Sequence, residues 1–186
     1  MTDPRGYAWV IKPKPISIDP DSHLRHFRGE VWGCDEDDEI RIGSFATTYF
    51  LNTRSPTDLD ETSETAPFIQ LFKRDGDFKA SVCGSEYVFC QDLLIIEHLA
   101  LLPPFRGRGV GREILADIIH QLKFRAEVVA LKPFPLQFEC CDFQDPEMAY
   151  DLFTAEMDDS FKAVRKFYKS CGFKRVKDTE LMVQIL

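Results

Sequence analysis

Hydrophobic and polar residues follow patterns that predict the central elements of the chain. Residues 93–102 are apolar at all but two positions, which predicts a buried strand. Residues 110–124 predict an amphipathic helix, because apolar side chains recur every four residues while polar side chains occupy the other face. The apolar stripe consists of Val110, Ile114, Ile118 and Leu122. Residues 128–131 predict a second buried strand, which continues to residue 137 beyond an interruption by two prolines.

Further elements are predicted on either side of this segment. Residues 40–51 are rich in β-branched and aromatic side chains, which is typical of a strand. Ser160 is placed to cap a helix that runs to residue 171, and Gly172 stands where a glycine commonly ends a helix. Residues 173–176 and 181–186 are predicted to be closing strands.

The remaining segments show weaker patterns. Residues 1–36 are rich in proline and predict an irregular lead-in with short strands. Residues 52–67 hold Ser, Thr, Asp, Glu and Pro with little apolar content, which predicts a surface loop. Short helical segments are expected at 68–72 and 80–82. Residues 138–159 form a long acidic connection, and we find no boundary that divides residues 1–186 into separate domains.

Composition narrows the class of protein. A chain of 186 residues suits one domain, and 44% hydrophobic content with sixteen phenylalanines supports an aromatic core. The net charge of −8 argues against nucleic acid as a partner, because binding to phosphates needs a basic face. The acidity agrees with a cationic substrate and equally with solubility alone.

Targeting and metal signals are weak in this sequence. The N-terminal residues carry no apolar signal segment, and the apolar run at 93–102 is too short to span a bilayer. The six cysteines form no Cys-x-x-Cys pair and have no histidine at zinc spacing. We therefore expect a cytoplasmic protein with reduced thiols, no membrane contact and no metal.

A loop rich in glycine and arginine, PPFRGRGVGR at residues 103–112, joins the first buried strand to the amphipathic helix. Glycines let the backbone approach a ligand, and the unpaired N–H groups at a helix start attract phosphate. The loop lacks the lysine and hydroxyl of a Walker loop and is one residue short of a dinucleotide fingerprint. It fits Arg/Gln-x-x-Gly-x-Gly/Ala through Arg106, Gly109 and Gly111. The alternative is a tight connection with solvated arginines.

The combination of this loop with a later motif resembles the GCN5-related N-acetyltransferase (GNAT) superfamily. The later motif is KFYKSCGFKRV, in which Tyr168, Gly172 and Phe173 occupy the positions of an aromatic-Tyr-x-x-x-Gly-Phe pattern. The resemblance covers residues 93–176 well and the N-terminal half loosely. Two features depart from the pattern: Phe161 stands where an asparagine is common, and the connection 138–159 is long.

The resemblance implies an α/β fold with a central twisted mixed sheet, helices on both faces, and acetyl-CoA in a gap between two splayed parallel strands. The strands would be 93–102 and 128–137. Main-chain amides of the glycine loop would hold the pyrophosphate, and the pantetheine arm would pair with the edge of the first strand. The implied cofactor-binding residues are Leu99, Leu101, Arg106, Gly107, Arg108, Gly109, Val110, Gly111 and Arg112.

Two catalytic residues are expected. By the resemblance, Tyr168 is the acid that protonates the leaving thiolate; its spacing along the helix also fits a packed core aromatic. Glu97 is the candidate base, because a carboxylate within an apolar strand is costly unless it faces a cleft or is paired. The neighbouring His98 would point to the opposite face of the strand, so only one of the two would line the acceptor site. A remote base, or none, is the third alternative.

The expected function is N-acetyl transfer from acetyl-CoA to an amine on a small molecule or a peptide. The acidic runs 35–39 and 58–64 would suit a cationic acceptor, and they also fit solvated loops. The alternative function is a non-catalytic acyl-CoA-binding sensor or scaffold, which would share the same loop. The oligomeric state stays open, with a dimer among the alternatives.

Overall fold

A seven-stranded mixed sheet with the order β1-β2-β3-β4-β5-β7-β6 forms the centre of the computed structural model. The structure describes residues 8–17, 23–34, 39–52, 56–84, 88–138, 146–148 and 154–186. The strands are β1 (Ala8–Ser17), β2 (Leu24–Cys34), β3 (Glu39–Phe50), β4 (Leu93–Leu101), β5 (Val128–Leu131), β6 (Lys174–Arg175) and β7 (Met182–Ile185). The helices are α1 (Ala80–Cys83), α2 (Val110–Leu122) and α3 (Met157–Ser170). Short 3₁₀ helices lie at Pro56–Glu61, Ala66–Leu71, Pro103–Phe105, Leu136–Phe138 and Pro146–Met148.

The sheet is covered on both faces, as predicted. On one side, here called the α2 face, Leu94 and Ile96 of β4 pack with the buried stripe of α2. On the other side, here called the α1 face, Leu93 and Ile95 pack with Val82 of α1 and with the 3₁₀ helices at 56–71. Successive residues of β4 therefore enter different cores, as the alternation of side chains along a strand requires. Among the described residues, no helix is long and apolar enough to cross a bilayer.

The expectation of an irregular lead-in at residues 1–36 was wrong for residues 8–17 and 24–34, which the structure describes as strands. β1 and β2 are long antiparallel strands, paired from Ala8 with Cys34 onward. β1 is the edge strand of the sheet, so Pro13 and Pro15 can lack an N–H without breaking an inner ladder. The prolines that indicated irregular structure in the sequence are thus compatible with an edge position.

The expectation of a surface loop at residues 52–67 was also wrong for the part of this segment that the structure describes. Residues 56–61 form a 3₁₀ helix, and Leu59 is fully buried on the α1 face. Thr65 is buried as well, and its hydroxyl donates to the carbonyl of Leu59 at 2.8 Å. The next 3₁₀ helix, Ala66–Leu71, agrees with the short helical segment predicted at 68–72.

Two predicted boundaries moved in the C-terminal half. β5 ends at Leu131, and the predicted extension to residue 137 is instead a turn followed by a 3₁₀ helix, because Pro133 and Pro135 cannot donate to a ladder. α3 begins at Met157, so Ser160 lies within the helix and does not cap it. Its hydroxyl instead accepts from Gln137 at 2.8 Å. Most of the connection 138–159 lies outside the described residues.

A buried carboxylate fastens the sheet where β4 begins. Asp92 is 1% exposed and accepts hydrogen bonds from Tyr49 Oη at 2.6 Å, Arg125 Nε at 2.6 Å and the Asn52 amide at 3.0 Å. Burial alone would raise the pKa of Asp92, but these donors hold the pKa below its usual value. The cluster joins β3, β4 and the chain that follows α2.

Candidate functional site

β4 and β5 pair for only part of the length of β4. The parallel pairs run from Leu93 with Val128 to Ile96 with Leu131. β4 then continues to Leu101 along β3, whereas the chain after Leu131 leaves the sheet. Five residues of β4 therefore extend past the last parallel pair, and their outer edge borders a gap between the two strands.

The backbone groups that border this gap belong to Leu99 and Leu101. The Leu102 amide donates to the Ile42 carbonyl of β3 at 2.8 Å, and backbone groups alternate in direction along an antiparallel strand. Leu99 and Leu101 therefore face away from β3 and toward the gap. The Leu101 carbonyl already accepts from Arg106 Nε at 2.7 Å, so the Leu101 amide and both backbone groups of Leu99 remain for a ligand.

The glycine loop presents backbone amides at the start of α2. Gly107 and Gly109 have φ of 71° and 85°, which favours glycine, and neither would bring a Cβ within 4 Å of another atom. The Arg106 and Arg112 amides donate to the carbonyls of Pro103 and Gly109 at 3.2 and 3.0 Å. Within the described part of the chain, the amides of 107–111 have no backbone acceptor. Of the seven amides at 106–112 that were predicted to hold the pyrophosphate, five therefore remain without a backbone acceptor.

Side chains of the loop connect it to its surroundings. Arg106 also donates through Nη2 to the Met148 carbonyl, so its guanidinium bridges the end of β4 and residues 146–148. Arg112 donates to Ser170 Oγ at 3.1 Å, which ties the start of α2 to the end of α3. A Cβ at Gly111 would lie 3.3 Å from Leu101 Cδ1 and 3.6 Å from the Phe167 ring, so glycine allows α2, α3 and β4 to meet closely.

Tyr168 lies one residue beyond this meeting point. Its ring packs edge-on against Phe167 and Phe173 at 5.1 and 5.8 Å, and it is half-buried beside the α2-face core. Burial raises the pKa of Tyr168 above its usual value, and Cys171 raises it further. The hydroxyl therefore keeps its proton, and no described residue forms a hydrogen bond with it. The ring of Tyr168 therefore packs beside the core, while its hydroxyl can donate a hydrogen bond to a ligand.

A β-bulge places Glu97 and His98 on the same face of the sheet. Ala46 pairs with His98 and Thr47 pairs with Ile96, so Glu97 is the extra residue. His98 lies on the same face of the sheet as Ala46, its pairing partner. The Glu97 carboxylate accepts a hydrogen bond from Thr48, which is two residues after Ala46 on β3 and therefore on that face too. Both side chains therefore lie on the α1 face, and the expectation that they point to opposite faces was wrong because the bulge interrupts the alternation.

The comparison with protein-family models agrees with this architecture. Residues 68–175 match the family model described as acetyltransferase (GNAT) domain, which covers more than half of the chain. The chain belongs to the GNAT acetyltransferase family. A search of curated proteins and a search of solved structures each gave no match. The matched segment of the GNAT chain contains β4, the glycine loop, α2, β5 and α3, and excludes β1 to β3.

The environment of His98 in the GNAT fold makes it a weak base. Burial and, to a smaller extent, the positive charge of Arg28 lower the pKa of His98 to about 4. An imidazole with so low a pKa is neutral and holds a proton poorly near pH 7.

Sequence reasoning missed two residues beside Glu97. Thr48 donates through Oγ1 to Glu97 Oε1, and His26 Nδ1 lies 2.6 Å from the same hydroxyl. His26 Nδ1 is also 3.8 Å from Glu97 Oε1. In the sequence, His26 belongs to no recognisable metal site or catalytic triad. Only the strand register, which aligns β2, β3 and β4, brings it next to Thr48 and Glu97.

A cavity of about 410 Å³ opens beside the end of β5. It lies between the 3₁₀ helix Ala66–Leu71 and the turn that joins β6 to β7, and charges of both signs line it. Lys132 and Glu180 form an ion pair there at 3.4 Å. Lys132 follows the last parallel pair on β5 as Glu97 does on β4.

Proposed function

We propose that the protein is an N-acetyltransferase that moves the acetyl group of acetyl-CoA directly to an amine. The observation that carries this proposal is the run of five amides at 107–111 without backbone acceptors, next to the unpaired stretch of β4. Amides at a helix start suit a diphosphate, because the helix dipole adds positive character. The open space beside Gly107 and Gly109 leaves room for such a group.

The edge of β4 supplies the next contacts in this proposal. The Leu99 backbone and the Leu101 amide would pair with the amide groups of the pantetheine arm, as an added strand pairs with a sheet. One of these amides would also polarise the thioester carbonyl and stabilise the negative charge that develops on its oxygen during attack. Such a donor contributes about 3–4 kcal/mol in other acyl-transfer enzymes.

Tyr168 is proposed as the acid for the leaving thiolate. α3 lies against α2 and β4 at Gly111, which brings Tyr168 to the side of the gap on the α2 face. Its raised pKa keeps the hydroxyl protonated near neutral pH, and its hydroxyl has no competing partner in the described residues. A positioned acid of this kind contributes about 10²–10⁴-fold to a rate.

Glu97 is proposed as the base that removes a proton from the amine. It is on the α1 face, opposite the side of Tyr168, so the attacking amine and the departing thiolate would have separate proton-transfer groups. The cavity beside Lys132 would receive the acceptor. Its mixed charges suit a polar acceptor of small size or the end of a peptide.

The test is incubation of the full chain with acetyl-CoA and a panel of amines: polyamines, aminoglycosides, amino acids and lysine peptides. Free CoA is separated by chromatography, because the six cysteines would react with a thiol reagent. Release of CoA that depends on one amine class, with one acetylated product per CoA, supports the proposal. Binding of CoA without release for any amine would instead support a non-catalytic acyl-CoA-binding domain.

A further inference from the structure

A buried threonine hydroxyl connects two titratable side chains across three strands. His26 of β2 pairs directly with Thr48 of β3, and Thr48 pairs with Ile95, two residues before Glu97 of β4. Thr48 is fully buried, whereas the side chains of His26 and Glu97 are 30% and 21% exposed. Glu97 lies two residues after Ile95 and on the same α1 face, as the alternation of side chains along β4 requires, and the bulge brings the following His98 to that face as well.

The direction of the hydrogen bonds fixes the state of the imidazole. Thr48 has one hydroxyl proton, and it is donated to Glu97 Oε1. The 2.6 Å contact between Thr48 Oγ1 and His26 Nδ1 then needs a proton on Nδ1, so the histidine donates to the hydroxyl. Neutral His26 is therefore the Nδ1–H tautomer, and its Nε2 carries the lone pair.

We propose that His26 and Thr48 are positioning residues for the Glu97 base. The inference rests on the proposed acetyltransferase function. Neutral His26 orders the Thr48 hydroxyl, which holds one carboxylate oxygen and leaves the other for the amine proton. His26 Nδ1 itself lies 3.8 Å from Glu97 Oε1, beyond hydrogen-bond distance, so the imidazole acts on the carboxylate through the hydroxyl.

Other charged groups lie on β2 and next to its start. Arg28 lies two pairs further along β2, in the cross-strand row of Ala46 and His98. Before the start of β2, the His23 ring lies 3.5 Å from Asp58 of the 3₁₀ helix Pro56–Glu61.

The first test needs no acceptor. Nitrogen NMR of the full chain, labelled at histidine, distinguishes the two neutral tautomers at pH 8. The expected result for His26 is Nδ1–H in the wild type, with a shift toward the ordinary Nε2–H tautomer in Thr48→Val. An Nε2–H tautomer in the wild type, or an unchanged tautomer in Thr48→Val, would refute the hydrogen-bonded chain.

The second test uses turnover with the best amine of the panel. Thr48→Val, isosteric but without a hydroxyl, is expected to lower kcat about tenfold or more with the KM for acetyl-CoA unchanged, as loss of a positioned base would. His26→Asn keeps a donor at the Nδ1 position, so it should lose less than His26→Phe. His120→Asn, exposed on α2, is the control and should match the wild type. Unfolding midpoints confirm that each variant folds.

The split between kcat and KM separates this role from a structural one. A loosened site would also raise the KM for acetyl-CoA, whereas loss of the positioning hydroxyl lowers kcat alone. A kcat of Thr48→Val equal to that of the wild type, or an equal loss in His26→Asn and His26→Phe, would overturn the proposal. If the wild type binds CoA and acetylates no amine, the proposed function and the base role both fail, while the NMR result still decides the hydrogen-bonded chain.

Discussion

Ile96 pairs with Leu131, and this is the last parallel pair between the two central strands. Beyond it β4 follows β3 alone, so the Leu99 and Leu101 backbone groups face a gap. The bulge at Glu97 begins at the next residue, so the end of the parallel pairing, the candidate base and the free strand edge occur within the six residues from Ile96 to Leu101. The glycine loop follows directly, so all the proposed backbone contacts of the acetyl donor come from one short segment.

Replacing Tyr168 by phenylalanine tests the proposed acid. The packing against Phe167 and Phe173 is kept, so affinity for acetyl-CoA should not change. Turnover at saturating substrate should fall more than about tenfold, since a positioned acid contributes 10²–10⁴-fold. Steady-state kinetics and CoA titration together give both quantities. Unchanged turnover would remove the role and leave Tyr168 as a packed aromatic.

His98 should remain neutral across the physiological range. Its pKa of about 4 in the fold lies below the ordinary value, so its NMR signals should not titrate between pH 5.5 and 8. The unfolded chain binds this proton near pH 6.5, so stability is lost as pH falls from 6.5 toward 4. At pH 5 the loss amounts to about 1–2 kcal/mol. A midpoint titration near pH 6.5 would contradict the burial of His98.

Comparison with His98→Gln isolates this effect. Glutamine does not titrate. The unfolding free energy of His98→Gln should therefore change between pH 7 and pH 5 by about 1–2 kcal/mol less than that of the wild type. Urea unfolding at the two pH values measures it. His120→Asn, whose ring is exposed, serves as the control and should leave the pH dependence as in the wild type. An equal pH dependence in His98→Gln would argue against the lowered pKa.

Asp92→Asn should destabilise the fold at neutral pH. The carboxylate is buried and accepts from Tyr49, Arg125 and the Asn52 amide, so its loss leaves imperfectly satisfied donors and costs about 1–3 kcal/mol. Because the pKa of Asp92 is lowered in the fold, the carboxylate stabilises the protein above the pKa that Asp has in the unfolded chain, about 3.9. This stabilisation is lost as the pH falls through the pKa of Asp92 in the folded protein.

Urea unfolding of both proteins at pH 7 and at pH 3 measures this difference. The gap between wild type and Asp92→Asn should be wide at pH 7 and narrow at pH 3. Asp159→Asn is the matched control, because its pair with Lys162 is exposed, and it should not change stability measurably. A gap that widens on acidification would mean that Asp92 is not held as a carboxylate.

The sequence predicted the elements whose signals are local. β4, the glycine loop, α2 and the end of α3 at Gly172 each follow from a run of neighbouring residues, and all were confirmed. Gly172 has φ of 99°, the left-handed conformation expected of a glycine that ends a helix. These same elements carry the resemblance to the GNAT family, which the matched family model confirmed.

Features that depend on pairing between distant segments were not predictable. β1 carries two prolines, which indicate irregular structure until its position at the edge of the sheet is known. The bulge at Glu97 has no signature in β4 itself, because it is defined by the register against β3. His26 is 22 residues from Thr48, and Thr48 is 49 residues from Glu97, so only the sheet brings the three together.

The central claim is that the amides of 107–111 bind the diphosphate of acetyl-CoA, and calorimetric titration of CoA into the full chain tests it most directly. The wild type should bind, and Gly109→Val should bind at least about tenfold more weakly, a loss of about 1.4 kcal/mol. Gly84→Val is the matched control, since Gly84 also has a positive φ of 60° and open space around it. It should bind as the wild type does. No binding at millimolar CoA, or equal binding after replacement of both Gly109 and Gly111 by bulky residues, would contradict the account.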